Sequence, residues 1–110
     1  MRVAIPMANG ALCMHFGHCS TFALVDVENG AVSSVNEVVP PPHQPGLLPE
    51  WIAEQGATMV IAGGMGSRAL ALFQQNGIKV VTGANGTTPE EIVKNYLAGT
   101  LQTGANACDH

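Results

Sequence analysis

Apolar residues in the first third of the chain follow the pattern of β-strands. Residues 3–6, 21–27 and 31–39 are apolar or β-rich segments, and short runs of this kind, bounded by turn residues, predict strands. Asn29 and Gly30 stand between the second and third segments, and this dipeptide is the strongest short-range signal for a hairpin. The chain is therefore predicted to begin with three strands, of which the last two pair antiparallel.

The remaining apolar positions alternate between helical periodicity and short continuous runs. The predicted helices are residues 47–55, 67–75 and 89–98, and the predicted strands between them are residues 58–62 and 78–82. The first of these helices places four apolar side chains on one face, namely Leu47, Leu48, Trp51 and Ile52. The order β-β-β-α-β-α-β-α predicts a single α/β domain with a mixed sheet of about five strands flanked by helices.

The last helix carries a capping box. Thr88 stands at the N-cap, Pro89 at the first helical position and Glu91 at the third, which is the arrangement that satisfies the first backbone N–H groups of a helix. The side chains predicted to point inward are Ile92, Val93, Tyr96 and Leu97. Beyond this helix the sequence is polar, so we predict a domain of residues 1–101 and a flexible tail of residues 102–110.

Soft metal ligands are concentrated in one loop between the first two predicted strands. The loop contains Cys13, His15, His18 and Cys19 within seven residues, and thiolate and imidazole are the groups that soft and borderline metals prefer. Zinc ribbons and fingers use Cys-x-x-Cys pairs that are separated from each other by a longer stretch of sequence. The spacing therefore favours a polynuclear cluster, or an open site completed from elsewhere, while a buried cysteine with hydrogen-bonded histidines is the alternative.

Two further places carry the same ligand types. His43 follows three consecutive prolines, which form a stiff connector rather than a central strand. Cys108 and His110 close the chain, and a flexible tail could fold over a metal site or deliver metal to it. We therefore include these three residues among the candidate ligands, against the alternatives of an exposed histidine and an unstructured end.

A glycine-rich turn joins the predicted strand at 58–62 to the next helix. Gly64 and Gly66 in this turn imitate the dinucleotide fingerprint, but the following strand ends in Val81 and Thr82, with no acidic residue for a ribose. A nucleotide is therefore disfavoured. The start of the helix, with Ser67 and Arg68, instead suits an anion such as a metal–sulfide cluster, and close helix–strand packing by the glycines is the alternative.

Composition excludes several function classes. The 110 residues have a net charge of −4 and only four scattered Lys and Arg residues, so nucleic-acid binding is disfavoured. No apolar run is long enough to span a membrane and the N-terminus lacks the features of a signal peptide. With an odd number of cysteines, thiols held as metal ligands or redox groups in the cytoplasm are expected rather than a full disulfide set.

Hydrolytic catalysis finds little support in the sequence. No Ser-His-Asp set can be placed by a motif. The strand and helix order is similar to the ribonuclease H-like topology, but that chemistry needs several carboxylates at strand ends to hold magnesium. The first predicted strand, residues 3–6, contains none. Fold analogy therefore does not extend to nuclease activity.

Several segments together resemble the dinitrogenase iron–molybdenum cofactor biosynthesis family, which includes NifX and the C-terminal domain of NifB. The similar segments are RVAIPMANG at the start, HFGHC at residues 15–19 with Phe22 after it, His43 ahead of a glycine, VIAGGMGSRALALFQQNGIKVV, and YLAGTL in the last helix. The resemblance covers residues 1 to about 101.

This resemblance implies a ribonuclease H-like α/β domain that binds and carries an iron–sulfur or molybdenum-containing cluster. It also implies that the loop at residues 15–19 borders the cluster, with His43 and the turn at residues 64–68 nearby. Cys13 and Cys19 are additions that many members lack. The resemblance does not secure a role in nitrogen fixation, because stand-alone members often occur outside it.

The sequence therefore supports a non-enzymatic cluster carrier or store that exchanges its cargo with metallocluster assembly proteins, as a monomer or as a homodimer bridged by the cluster. Two alternatives stay open. One is a protein that binds a single zinc or copper ion, and the other is a regulatory interaction domain whose cysteines act as a redox switch.

Overall fold

The computed structural model describes residues 1–8, 11–13, 20–41, 47–84, 88–99 and 101. The strands are β1 (Arg2–Ala8), β2 (Ala11–Leu12), β3 (Thr21–Glu28), β4 (Ala31–Val38), β5 (Met59–Ile61) and β6 (Lys79–Val81). The helices are α1 (Leu47–Glu54), α2 (Ser67–Gln75) and α3 (Pro89–Ala98). The predicted order of elements is confirmed, and β2 is an additional short strand that the sequence interpretation missed.

The sheet is mixed, with the strand order β4-β3-β1-β5-β6 and with β2 paired to β1 outside this path. β1 pairs antiparallel with β3 and parallel with β5, so it forms the centre of the sheet. The predicted hairpin joins β3 to β4 in antiparallel register. Its turn residues Asn29 and Gly30 have φ angles of 54° and 76°, the left-handed values that a two-residue hairpin turn requires.

Helices cover both faces of the sheet and divide the core into two clusters. On one face, α3 packs Ile92 and Val93 against odd-numbered residues of β1 and β3, such as Ile5 and Val25. On the other face, α1 and α2 pack against even-numbered residues of the same strands, with Phe73 fully buried. The alternation of side chains between the faces of a strand produces this division. We name these two surfaces the α3 face and the α1/α2 face.

The predicted start of α3 is confirmed, but one of its predicted core residues is wrong. The Thr88 hydroxyl accepts a hydrogen bond from the Glu91 N–H, and Gly99 ends the helix in the left-handed conformation. Ile92 and Val93 are buried, whereas Leu97 is 36% exposed. Leu97 lies at the rim of the inward face, where it lines a surface groove beside the β3–β4 turn, so it is not a core residue.

β4 is one of the two edge strands of this path and ends one residue before the predicted boundary. Most of its residues are exposed, because an edge strand has a neighbour on only one side. Val39, which was predicted to be part of the strand, lies outside it and is 77% exposed. Pro40 follows directly, and proline cannot donate a hydrogen bond to a strand ladder.

Candidate functional site

The strand directions bring the candidate site loops to one edge of the sheet. β1, β5 and β6 run parallel to each other, and β4 runs in the same direction because two antiparallel pairings separate it from β1. The carboxyl ends of these four strands therefore meet at one edge, together with the amino end of β3. We name this the carboxyl edge, and the opposite one the amino edge. In open α/β sheets, ligands bind outside the carboxyl ends of the strands.

Cys13 and Ser20 are anchored next to each other on the carboxyl end of β1. The Cys13 N–H donates to the Pro6 carbonyl at 2.9 Å, and the Ser20 N–H donates to the Met7 carbonyl at 2.8 Å. The Ser20 hydroxyl donates to the same Met7 carbonyl at 3.2 Å. The segment 14–19 therefore leaves and rejoins the described chain at two neighbouring residues of one strand.

The backbone pairing also defines the face on which Cys13 lies. Leu12 pairs with Met7, so the next residue, Cys13, is opposite Pro6, which in turn pairs with Phe22. Directly opposed residues of an antiparallel pair share one face, and Phe22 is part of the cluster on the α1/α2 face. Cys13 is 6% exposed and therefore buried, as the alternative of a buried cysteine also expects.

The glycine-rich turn occupies the same edge on the same face. Gly63, Gly64 and Met65 are buried after β5, and the Gly63 carbonyl accepts a hydrogen bond of 2.9 Å from the Gly83 N–H after β6. Met65 belongs to the cluster on the α1/α2 face. Because α2 begins at Ser67, its positive end is directed towards the carboxyl edge.

Within the part of the chain that the structure describes, the start of α2 is left open. Gly66 is the N-cap, at φ −67° and ψ 156°, and provides no side-chain hydrogen bond to the first turn. A Cβ atom built at Gly66 would meet no atom within 4 Å, and its φ is accessible to any residue. Among the described residues, neither packing nor backbone conformation requires glycine at position 66, which does not favour the interpretation of a packing glycine there. The arrangement fits a bulky anion placed against the helix start.

Charge at the carboxyl edge is positive near this helix start. Ser67 and Arg68 are exposed, and α2 has no acidic residue in its first turn. Within the described ranges, the ion pairs join Arg2 to Asp26 and Lys94 to Glu90, and neither uses Arg68. The guanidinium charge of Arg68 therefore adds to the helix dipole.

The remaining predicted ligands lie outside the described residues. They are His15, His18, Cys19, His43, Cys108 and His110. The chain enters the segment 42–46, which contains His43, from Pro41 after the carboxyl end of β4. Among the residues that the structure describes, no group of three His, Cys, Asp or Glu side chains could hold a metal ion. The ligand set therefore stays a prediction, with Cys13 as its one described member.

Two residues of this region were missed by the sequence interpretation. Ser20 anchors the loop to β1, and Pro6 accepts the hydrogen bond from Cys13. A proline inside a central strand was the available signal for Pro6, since that position normally excludes it. Asn9 and Gly10, which connect β1 to β2, were the available signal for the short return strand.

Fold and site together define a small α/β domain whose loops at the carboxyl edge combine a thiol with a positive helix start. The chain matches the family described as "Dinitrogenase iron-molybdenum cofactor" over residues 1–99. It belongs to this family, and the resemblance inferred from the sequence is confirmed. Membership gives the protein a role related to this cofactor. The match ends before the predicted boundary at residue 101, so the tail of residues 102–110 stays a prediction.

Similar proteins cover nearly the whole chain. A curated relative, an uncharacterized protein of Methanocaldococcus jannaschii, is 32% identical in an alignment of length 108 that covers 93% of this chain and 90% of the relative. The crystal structure of PH0822 superposes with a TM-score of 0.86 at 37% identity and 94% coverage of both chains. The apo form of the orange protein from Desulfovibrio gigas gives a TM-score of 0.73 at 25% identity, covering 96% of this chain and 93% of that chain.

These comparisons confirm the predicted fold class, a single small α/β domain with a five-stranded mixed sheet. The family is named for a cofactor rather than for a reaction. None of the helices in the described residues is both long and apolar enough to cross a bilayer.

Proposed function

We propose that the protein is a non-enzymatic carrier or store for an iron–sulfur or molybdenum-containing cluster. The cluster is its cargo, received from and passed to metallocluster assembly proteins. The protein acts in the cytoplasm, where thiols are kept reduced, as a monomer or as a homodimer bridged by the cargo.

One observation carries the proposal, namely the convergence of loops at the carboxyl edge. Cys13 and the open start of α2 at Gly66 lie on the same face of the sheet at this edge. The segments 14–19 and 42–46, with the other thiol and imidazole groups, are joined to described residues at the same edge. A metal–sulfide cluster needs both soft ligands and compensation of its negative charge.

The roles of the residues follow from their chemistry. Thiolates of Cys13 and Cys19 bind iron, molybdenum or copper, and the neutral imidazoles of His15, His18 and His43 complete the coordination. Gly64, Gly66, Ser67 and Arg68 offset the cargo charge through the helix start and the guanidinium. Cys108 and His110 in the tail cover the bound cargo. The net charge of −4 makes this local positive field necessary for an anionic guest.

Anaerobic purification, followed by metal and acid-labile sulfide analysis and a visible spectrum, tests the proposal. We expect metal and sulfide together, with a charge-transfer spectrum that disappears in a chain carrying Cys13→Ala and Cys19→Ala. Native mass spectrometry of the loaded protein would distinguish one chain per cluster from two.

A matched control separates loss of a ligand from loss of stability. Leu12→Val removes one methylene from the core beside Cys13, at a cost of about 1 kcal/mol, and leaves every candidate ligand in place. It should bind cargo normally. Metal without sulfide would indicate a mononuclear zinc or copper site instead of a cluster. Reversible thiol oxidation without any metal would indicate a redox switch. Cluster binding that survives the double cysteine substitution would refute the ligand assignment.

A further inference from the structure

Pro6 occupies an unusual position in the centre of the sheet. It lies in β1, a strand that pairs with β3 on one side and with β5 on the other. Proline has no backbone N–H, so inside a sheet it is normally restricted to edges, strand starts and bulges. A proline can therefore lie within a central strand only where no carbonyl of the neighbouring strand depends on a hydrogen bond from that position.

The direction of the backbone groups shows which neighbour this is. The Arg2 carbonyl accepts a hydrogen bond of 3.0 Å from the Thr58 N–H at the start of β5. Backbone groups of alternate residues point to the same side of a strand, so Arg2, Ala4 and Pro6 all direct their groups towards β5. The pairing of β1 with β5 extends to Ala4, opposite Val60. The next rung would need the N–H that Pro6 lacks.

β2 lies beside β1 beyond the point where the pairing of β1 with β5 ends. Met7 pairs with Leu12, and the Pro6 carbonyl accepts the Cys13 N–H at 2.9 Å. A longer β1–β5 ladder would present an N–H from the chain after Ile61 to this same carbonyl. Continuation of β5 and attachment of Cys13 therefore compete for one acceptor.

We propose that Pro6 is a positioning residue for the cargo site. Its missing N–H ends the β1–β5 ladder, and this reserves the Pro6 carbonyl for Cys13 and holds the thiol on the α1/α2 face of the carboxyl edge. The consequence for cargo rests on the proposed function. The placement of Cys13 is independent of it and is measured without cargo.

The substitution Pro6→Ala restores the N–H and allows the ladder to continue. In a background with Cys19→Ala and Cys108→Ala, Cys13 is the single thiol. We expect its reaction with a thiol reagent, and the hydrogen exchange of its amide, to accelerate by roughly fivefold, the factor that corresponds to one net hydrogen bond. In the chain that retains all three cysteines, cargo affinity should fall by a similar factor.

An ester at position 6 distinguishes the effect of the missing N–H from the effect of the proline ring. Ligation of a synthetic peptide of residues 1–12 to a recombinant chain beginning at Cys13 leaves the native junction. This peptide can carry lactic acid at position 6, which has the methyl group of alanine and an ester oxygen in place of the N–H. The ester chain should behave like the Pro6 chain, whereas the Pro6→Ala chain made by the same ligation should not. A folded ester chain beside an unfolded Pro6→Ala chain would support the proposal equally.

Ile5→Val controls for general destabilisation, because it shortens a buried side chain of the same strand without changing any backbone group. If Cys13 reactivity rises in Ile5→Val as much as in Pro6→Ala at equal loss of stability, the proposal is wrong. Equal behaviour of the ester and alanine chains would also overturn it. The two proposals can also fail separately. If the native chain binds no cargo, but Cys13 is protected in the native and ester chains and not in the Pro6→Ala chain, the proposed function is wrong and the role of Pro6 stands.

Discussion

Some side chains of this protein stabilise the fold at the edge of the sheet opposite the candidate site. Arg2 and Asp26 form an ion pair at the amino edge, where the Arg2 Nε donates to Asp26 at 2.7 Å. Arg2 also donates to the Gln55 carbonyl, and so connects β1, β3 and the end of α1. The Ser34 hydroxyl donates to the Asp26 carboxylate at 2.9 Å. This network stabilises the edge opposite the site loops.

Acid should weaken the fold through Asp26. The hydrogen bond from Arg2, followed by the one from Ser34, lowers the pKa of Asp26. A carboxylate whose folded pKa lies below its unfolded pKa stabilises the fold above the unfolded value, about 4, and this contribution is lost as the pH falls through the folded pKa. Urea unfolding from pH 6 downwards should therefore show a steeper acid loss in the native chain than in Asp26→Asn.

The effect should be modest because the Arg2 and Asp26 side chains are 38% and 26% exposed. Glu54→Gln is the matched control, since Glu54 is exposed and is in neither ion pair of the described residues. It should leave the acid slope close to that of the native chain. Identical slopes for the native chain and Asp26→Asn would contradict the assignment.

At the scale of elements, the two later helices begin in different ways. α3 has a threonine cap whose hydroxyl accepts from the Glu91 N–H, and its first turn contains acidic residues. α2 has a glycine cap, no side-chain hydrogen bond and no acidic residue in the first turn. The first helix start favours stability, and the second remains open to an anion.

Thr88→Ala should destabilise the protein by about 1 kcal/mol, because it removes the side-chain acceptor for the Glu91 N–H. In a domain of this size, that corresponds to a fall in Tm of about 5 °C. Thr88→Ser keeps the hydroxyl and should retain most of the stability in the same thermal unfolding experiment. Equal losses in both variants would show that the methyl group of Thr88, not its hydrogen bond, is important.

Gly66→Asp should raise stability and weaken cargo binding at once. The new carboxylate caps α2 and interacts favourably with the helix dipole, and loss of a glycine restricts the unfolded chain, so we expect a gain of about 1 kcal/mol. The same charge occupies the place proposed for an anionic cargo. Urea unfolding and cluster uptake measure the two effects.

Gly66→Asn is the control for this substitution, since it has nearly the same shape and caps the helix without a charge. It should be stabilised by a smaller amount and should keep more cargo affinity than Gly66→Asp. If both variants bind cargo as the native chain does, the start of α2 has no part in binding.

The elements that the sequence predicted are those with strong local signals. The helices and the hairpin at Asn29 and Gly30 follow from periodicity, caps and turn residues. β2 was missed because two residues carry no periodicity, although Asn9 and Gly10 precede it. Leu97 was misassigned because it is at the edge of the inward face of α3, where the neighbouring β3–β4 turn leaves a groove. No helical pattern contains that information.

For the site, the sequence provides residue types but not their arrangement. Soft ligands in one short loop predict metal chemistry, and this ligand set stays a prediction. The strand order β4-β3-β1-β5-β6 brings segments that are far apart in the chain, such as those of Cys13 and Gly66, to the carboxyl edge, and no local signal specifies this order. The burial of Cys13, which is 6% exposed, likewise depends on the pairing of β2 with β1, which sequence patterns did not indicate.

At the scale of the whole molecule, we assign cargo binding to the carboxyl edge and stabilisation of the fold to the amino edge. Reversing one charge at each edge tests this assignment. Arg68 is exposed at the carboxyl edge, and Lys79 is exposed at the amino end of β6 on the opposite edge. Arg68→Glu and Lys79→Glu lower the net charge by the same amount, so any difference between them reports position. We expect cargo affinity to fall by roughly fivefold in Arg68→Glu.

Lys79→Glu should change cargo affinity little, because charges separated by more than about 8–10 Å are largely screened at physiological salt. The difference between the variants should shrink as salt is raised. Neither substitution removes a described contact from the core, so urea unfolding should give midpoints close to that of the native chain. Equal losses of affinity in the two variants would mean that the protein attracts its cargo through net charge alone. A loss confined to Arg68→Glu would support a local positive field at the carboxyl edge, which a chain of net charge −4 requires in order to hold an anionic cluster.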